Sequence, residues 1–128
     1  MRVLLDTHAF LWFVWGDSKL SVAARTLIVD PNNTVLLSAA SYWEIAIKVS
    51  TGKLTLAEPY DVFLPREIQQ NRLEVLPIEV AHAAVVATLP FHHRDPFDRL
   101  LVGQALSENI PLLSADAIFD AYGVTRIW

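Results

Sequence analysis

The chain contains no cysteine. Disulfides, zinc–thiolate centres and thiol nucleophiles are therefore excluded. Glycine is scarce, at 4 of 128 residues. None of the four falls in a phosphate-cradling loop, a dinucleotide fingerprint or a Gly-x-Ser-x-Gly elbow. Histidines His8, His82, His92 and His93 include no pair at the spacing of a zinc-binding helix. The aromatic-rich apolar run from Ala9 to Trp15 has seven residues, far short of the ~20 that span a bilayer. Asp6 interrupts the first apolar stretch too early for a secretory leader, so a soluble, cytoplasmic protein without a membrane partner is expected. Positive charge is also limited. Ten Lys and Arg stand against fourteen Asp and Glu, for a formal net charge of −4.

Apolar residues, by contrast, are abundant at 53% of the chain. That content suits one domain over residues 1–128 with a real core, and its surplus points to an interface with another chain. Short apolar runs alternate with helical patterns. Strands are expected at 3–5, 34–38, 73–76, 110–113 and 124–127. Helices are expected at 7–15, 21–29, 41–50, 60–70, 80–88, 95–108 and 117–122. Pro65 is tolerable in the fourth of these only near its first turn. Strand–helix alternation with near-continuous apolar strands predicts an α/β fold with a parallel sheet covered on both faces.

In such sheets ligands bind beyond the carboxyl ends of the strands. Asp6 directly ends the first strand, and Asp116 lies just past Pro111-Leu112-Leu113. Glu44 and Asp98 fall in the first turns of helices able to point to the same edge. Each acid also has a structural reading. Ser41-x-x-Glu44 has the form of a capping box. Asp95 has the form of an N-cap before Pro96, with Asp98 favoured by the helix dipole. Asp116 and Asp6 are each placed to cap the helix that follows. Four carboxylates at one sheet edge nevertheless exceed what capping requires. Two of them at ~4 Å repel by about 4 kcal/mol at an effective dielectric of 20. A divalent cation offsets that, and all-oxygen ligation favours Mg²⁺ or Mn²⁺. With the four acids counted as ligands, the remaining ten acids balance the ten Lys and Arg, so a polyanionic substrate needs a local basic patch. Lys48, His92, His93, Arg94 and Arg99 are the candidates, with Ser38 and Ser114 as supporting hydroxyls.

Leu4-Leu5-Asp6-Thr7, Ser41-x-x-Glu44, His93-Arg94-Asp95-Pro96-Phe97-Asp98-Arg99-Leu100-Leu101 and Ser114-Ala115-Asp116 together resemble the PIN-domain family. More narrowly they resemble the VapC-type toxins of bacterial toxin–antitoxin pairs. The resemblance covers the whole chain. It implies a three-layer α/β/α sandwich with a short, mostly parallel central sheet, and a Mg²⁺-dependent endoribonuclease with Mn²⁺ as substitute. Asp6, Glu44, Asp98 and Asp116 would be its catalytic, metal-binding acids, with Asp6 and Asp98 the principal ligands and a second ion arriving with substrate. Ser114 and Asp95 would stand in the outer shell. An RNA substrate, a cognate antitoxin and a homodimer are the implied partners. Two rival readings fit less well. Aspartate-based phosphotransfer would want a second acid at position 8, which is His8, or an N-terminal acidic pair, which is absent. A catalytically weak PIN-like module acting through protein binding fits the apolar surplus and Trp12 and Trp15, but not an intact set of four acids.

Overall fold

The computed structural model describes all residues from Met1 to Trp128. Alternation within each short strand decides which side of the sheet a side chain joins. In β1 (Arg2–Leu5), Val3 and Leu5 join one core and Leu4 the other. In β2 (Thr34–Ser38), Val35 and Leu37 separate in the same way from Leu36. The sheet therefore divides two apolar layers, the larger with Phe10, Ala24, Ile45, Phe63 and Leu64 and the smaller with Leu101, Val102, Ala105 and Phe119.

Five strands run in the order β3-β2-β1-β4-β5, with β3 at Glu74–Leu76, β4 at Leu112–Leu113 and β5 at Arg126–Ile127. Every pairing is parallel. Both faces carry helices, giving the three-layer α/β/α sandwich. The late strands are shorter than the apolar pattern suggested. Asn109 turns left-handed at φ 53°, and Ile110 N–H bonds back to Ala105 O at 3.0 Å. Residue 110 thus closes a helix rather than opening a strand.

The helices are α1 (Thr7–Trp15), α2 (Val22–Val29), α3 (Ala39–Ser50), α4 (Tyr60–Gln70), α5 (Val80–Ala87) and α6 (Pro96–Glu108), followed by a 3₁₀ turn at Ala117–Tyr122. Two differ from expectation. Pro65 sits inside α4, beyond its first turn. Burial of the adjacent Phe63 and Leu64 outweighs the one backbone bond that proline removes. Helix α3 begins at Ala39 instead of Ser41, because Ser38 is its N-cap and accepts from Ala40 N–H at 3.0 Å.

Candidate active site

The first acid is placed by strand pairing. Leu5 is in register with Leu113, and Asp6 N–H continues the ladder to Leu113 O at 3.0 Å. The residues that follow these two strands, Asp6 and Ser114, are thereby brought together. Asp6 holds the N-cap position of α1, yet its side chain caps nothing. It accepts instead from Ser114 Oγ at 2.7 Å. Ser114 Oγ in turn accepts from Asp116 N–H at 3.0 Å. Asp116 caps the 3₁₀ turn through Ile118 N–H at 3.1 Å, while its side chain remains half exposed, at 51%.

Glu44 arrives from the other side. The capping box expected at Ser41-x-x-Glu44 does not form, because α3 starts earlier and puts both residues inside it. Glu44 is buried. Its Oε1 accepts from Thr7 Oγ1 at 2.8 Å and its Oε2 pairs with Lys48 Nζ at 2.9 Å. Thr7 Oγ1 also lies 2.8 Å from Ser41 Oγ, so one hydroxyl accepts from Ser41 while donating to the carboxylate. Thr7 and Ser41 thus orient Glu44, a role unread in the sequence, where Ser41 looked like a cap.

Asp98 reaches the same place from the start of α6. Asp95 does the capping, accepting from Phe97 N–H at 2.8 Å and Asp98 N–H at 3.1 Å, which leaves the Asp98 carboxyl free. His93 Nε2 lies 2.9 Å from Asp98 Oδ2 and 3.9 Å from Asp116 Oδ2. Its Nδ1 accepts from Asp95 N–H at 3.2 Å, so a neutral ring carries its proton on Nε2, facing Asp98.

The charges of these acids act on one another. Burial, then the charges of Asp6, Asp95, Glu44 and Asp116, push the Asp98 carboxyl up to about 8. Burial also raises Asp6, with the Ser114 hydrogen bond and the charge of His8 working against it. An all-carboxylate donor set suits Mg²⁺ or Mn²⁺. The side chains are not set as a finished cage, since no three His, Asp or Glu groups converge on one ion position. Asp98 faces His93, Glu44 faces Lys48 and Asp6 faces Ser114. A cation at these acids would compete with Lys48 and His93 for the same oxygens.

A family model described as PIN domain matches residues 3–124. The chain belongs to the PIN-domain family. Among its relatives, Ribonuclease VapC22 of Mycobacterium tuberculosis is 29% identical over 114 residues, which cover 89% of this chain and 86% of that protein. Ribonuclease VapC16 of the same organism is 40% identical over 60 residues, a match spanning 47% of this chain and less than half, 43%, of that protein. VapBC2 from Rickettsia felis, in its crystal structure bound to a DNA fragment from their promoter, superposes with a TM-score of 0.75 at 17% identity, covering 99% of this chain and 98% of that one. The likeness to that structure is one of fold.

The other residues singled out in this PIN domain lie apart from the acids to differing degrees. Ser38 donates to Gln104 Oε1 of α6 and touches no site carboxylate. Lys48 is bound to Glu44. Arg94 is exposed, and His92 packs edge-on to Tyr122 at 5.0 Å. Arg99 is corrected outright. It is not free to grip substrate, because its guanidinium is buried and donates to Pro90 O at 2.9 Å and Leu89 O at 3.1 Å. Phe91 covers it, with its ring centroid 3.9 Å from the guanidinium carbon. The segment before α6 lacks backbone partners of its own, and a planar five-donor side chain supplies them.

Proposed function

We propose that this PIN domain is a metal-dependent endoribonuclease, the toxin of a toxin–antitoxin pair, held inactive by a cognate antitoxin. One observation carries the reading. Asp6, Glu44, Asp98 and Asp116 come from four separate segments near the carboxyl edge of the sheet, and after burial the charges of the other three help to raise the Asp98 carboxyl. The family match and relatives named as ribonucleases support it.

Asp6 and Asp98 are the principal ligands for Mg²⁺ or Mn²⁺, completed by Glu44 and Asp116. Such an ion would supply Lewis-acid chemistry toward a phosphate and a water nucleophile. The chain's own part is positioning. Ser114 fixes one oxygen of Asp6, Thr7 turns Glu44, and Asp95 orders the first turn of α6 so that Asp98 projects inward. Lys48 and His93 hold positive charge or a proton beside the acids. The expected products carry 5′-phosphate and 3′-hydroxyl ends. A homodimer in the cytoplasm belongs to the same reading. Exposed apolar side chains, among them Val80 at 87% and Phe91 at 77%, suit burial by a partner.

The test is purified protein with defined RNAs, with and without Mg²⁺ or Mn²⁺, followed by end analysis. Cleavage is expected only with metal, and Asp6→Asn is expected to abolish it while leaving the circular dichroism spectrum unchanged. An Asp6→Asn variant that cuts at the wild-type rate overturns the assignment.

A further inference from the structure

Beside the acids lies a cavity of about 320 Å³ between α1, α3 and the loop that follows α3. We propose that it receives one nucleobase of single-stranded RNA against Trp15, with the adjoining phosphate on Lys48 and Lys53. The inference rests on the ribonuclease reading and locates where the strand beside the cut is held.

Three observations support it. The cavity is continuous with the catalytic edge, because Thr7 and Lys48 line it and both bind Glu44 directly. A base seated there places its phosphate next to the carboxylates. The charge suits a polyanion: the lining includes Lys53, His8 and Lys48, the last shared with Glu44, and no Asp or Glu, in a chain whose net charge is −4. An aromatic face is also available. Trp12 is already engaged, with Lys19 Nζ 5.9 Å from its ring and Trp128 edge-on at 5.9 Å. Trp15 is 47% exposed and pairs with no other ring. It stands at the end of α1, where Gly16 turns the chain at φ 63°, so its ring lies at the rim of the cavity. Lys53 is held by its own backbone, whose N–H bonds to Lys48 O at 2.9 Å. The volume falls within the about 300–1,000 Å³ of sites for small organic groups. The larger cavity, about 400 Å³, lies at the opposite, amino edge of the sheet, away from the acids, and is lined by Asp30 and Glu74 against one cation, Arg72.

The experiment uses the full chain and an eight-nucleotide RNA of mixed sequence with a fluorescent 5′ label. Anisotropy reports binding and tryptophan emission reports stacking, with metal withheld to prevent cutting. Trp15→Ala is expected to weaken binding roughly tenfold, the order of one lost base–aromatic stack, and to remove most of the quenching. Lys53→Ala is expected to reduce the slope of log affinity against log salt by about 0.7. Both side chains are exposed, so both variants are expected to melt with the wild type. Wild-type affinity, quenching and salt slope in both variants overturn the proposal. So does a pair of variants that bind RNA normally but lose the cognate antitoxin, since the cavity is then a protein-docking surface. Cleavage assayed in parallel separates the two ideas: an inert wild type that still shows the Trp15 and Lys53 effects sinks the catalytic reading alone.

Discussion

Asp98 is a carboxyl that burial and neighbouring acids hold well above its usual range. Its carboxyl is raised from 3.8 to about 8, so from about pH 4 to pH 8 the folded chain retains a proton that the unfolded chain has released. Stability therefore falls as pH rises through that window. Asp98→Asn removes the penalty. In metal-free buffer at pH 7 the substitution is expected to stabilise by on the order of 2–4 kcal/mol, a Tm gain of several degrees. The gain is expected to vanish near pH 4, and differential scanning calorimetry at the two pH values checks it. A variant no more stable than wild type at pH 7 would show that the acids do not repel as placed. Asp6, Asp98 and Asp116 stood out as candidates in the sequence because each follows an apolar strand or lies in the first turn of a helix, whereas Glu44 lies well inside α3. Their partners were less readable. Thr7 and Ser41 meet Glu44 only because α1 and α3 are packed side by side. Nothing local in Ser41-x-x-Glu44 distinguishes a capping box from two residues within a helix that starts two positions earlier.

Helix α6 depends on two residues that local pattern misassigns or leaves unread. Arg99, beside Asp98, looked like a phosphate contact. It instead ties down the segment that carries His93, whose N–H also bonds to Tyr122 Oη at 2.8 Å. Arg99→Ala leaves several carbonyls without their donor and is expected to cost on the order of 3 kcal/mol. Arg99→Lys is expected to recover little, because a single ammonium cannot span the same acceptors. Urea denaturation of both variants measures this, and full rescue by lysine would contradict the fork geometry. Gly103 is the second. A Cβ there would lie 2.8 Å from His82 O and 2.9 Å from Val86 Cγ2, so α5 and α6 approach more closely than any side chain allows. Gly103→Ala is expected to destabilise by about 1–3 kcal/mol through overpacking, read as a lower urea midpoint. Helix existence was legible throughout from apolar periodicity and turn residues. The crossing of α5 over α6 was not, because a glycine within a helix pattern does not announce which neighbour it admits.

At the level of the folded chain, five parallel strands place the ends of β1 and β4 side by side, and residues 108 positions apart in sequence, Asp6 and Ser114, share a hydrogen bond. Class and layering followed from the alternation of strands with helices. Strand order did not, since every strand is short and apolar and only the assembled ladders choose neighbours. On the proposed reading Mg²⁺ would bridge acids from several segments of the folded form, so titrating it into metal-free protein is expected to raise Tm by mass action, by the equivalent of about 2.7 kcal/mol at a hundredfold excess over Kd. No change in Tm up to millimolar Mg²⁺, with or without RNA, would count against the metal site. Lys48 already pairs with Glu44, and His93 lies within hydrogen-bond distance of Asp98, so two of the acids have partners within the chain itself. Chelation is thus expected to disarm this protein without unfolding it, leaving a dormant form that a cell can keep intact and a returning ion can rearm.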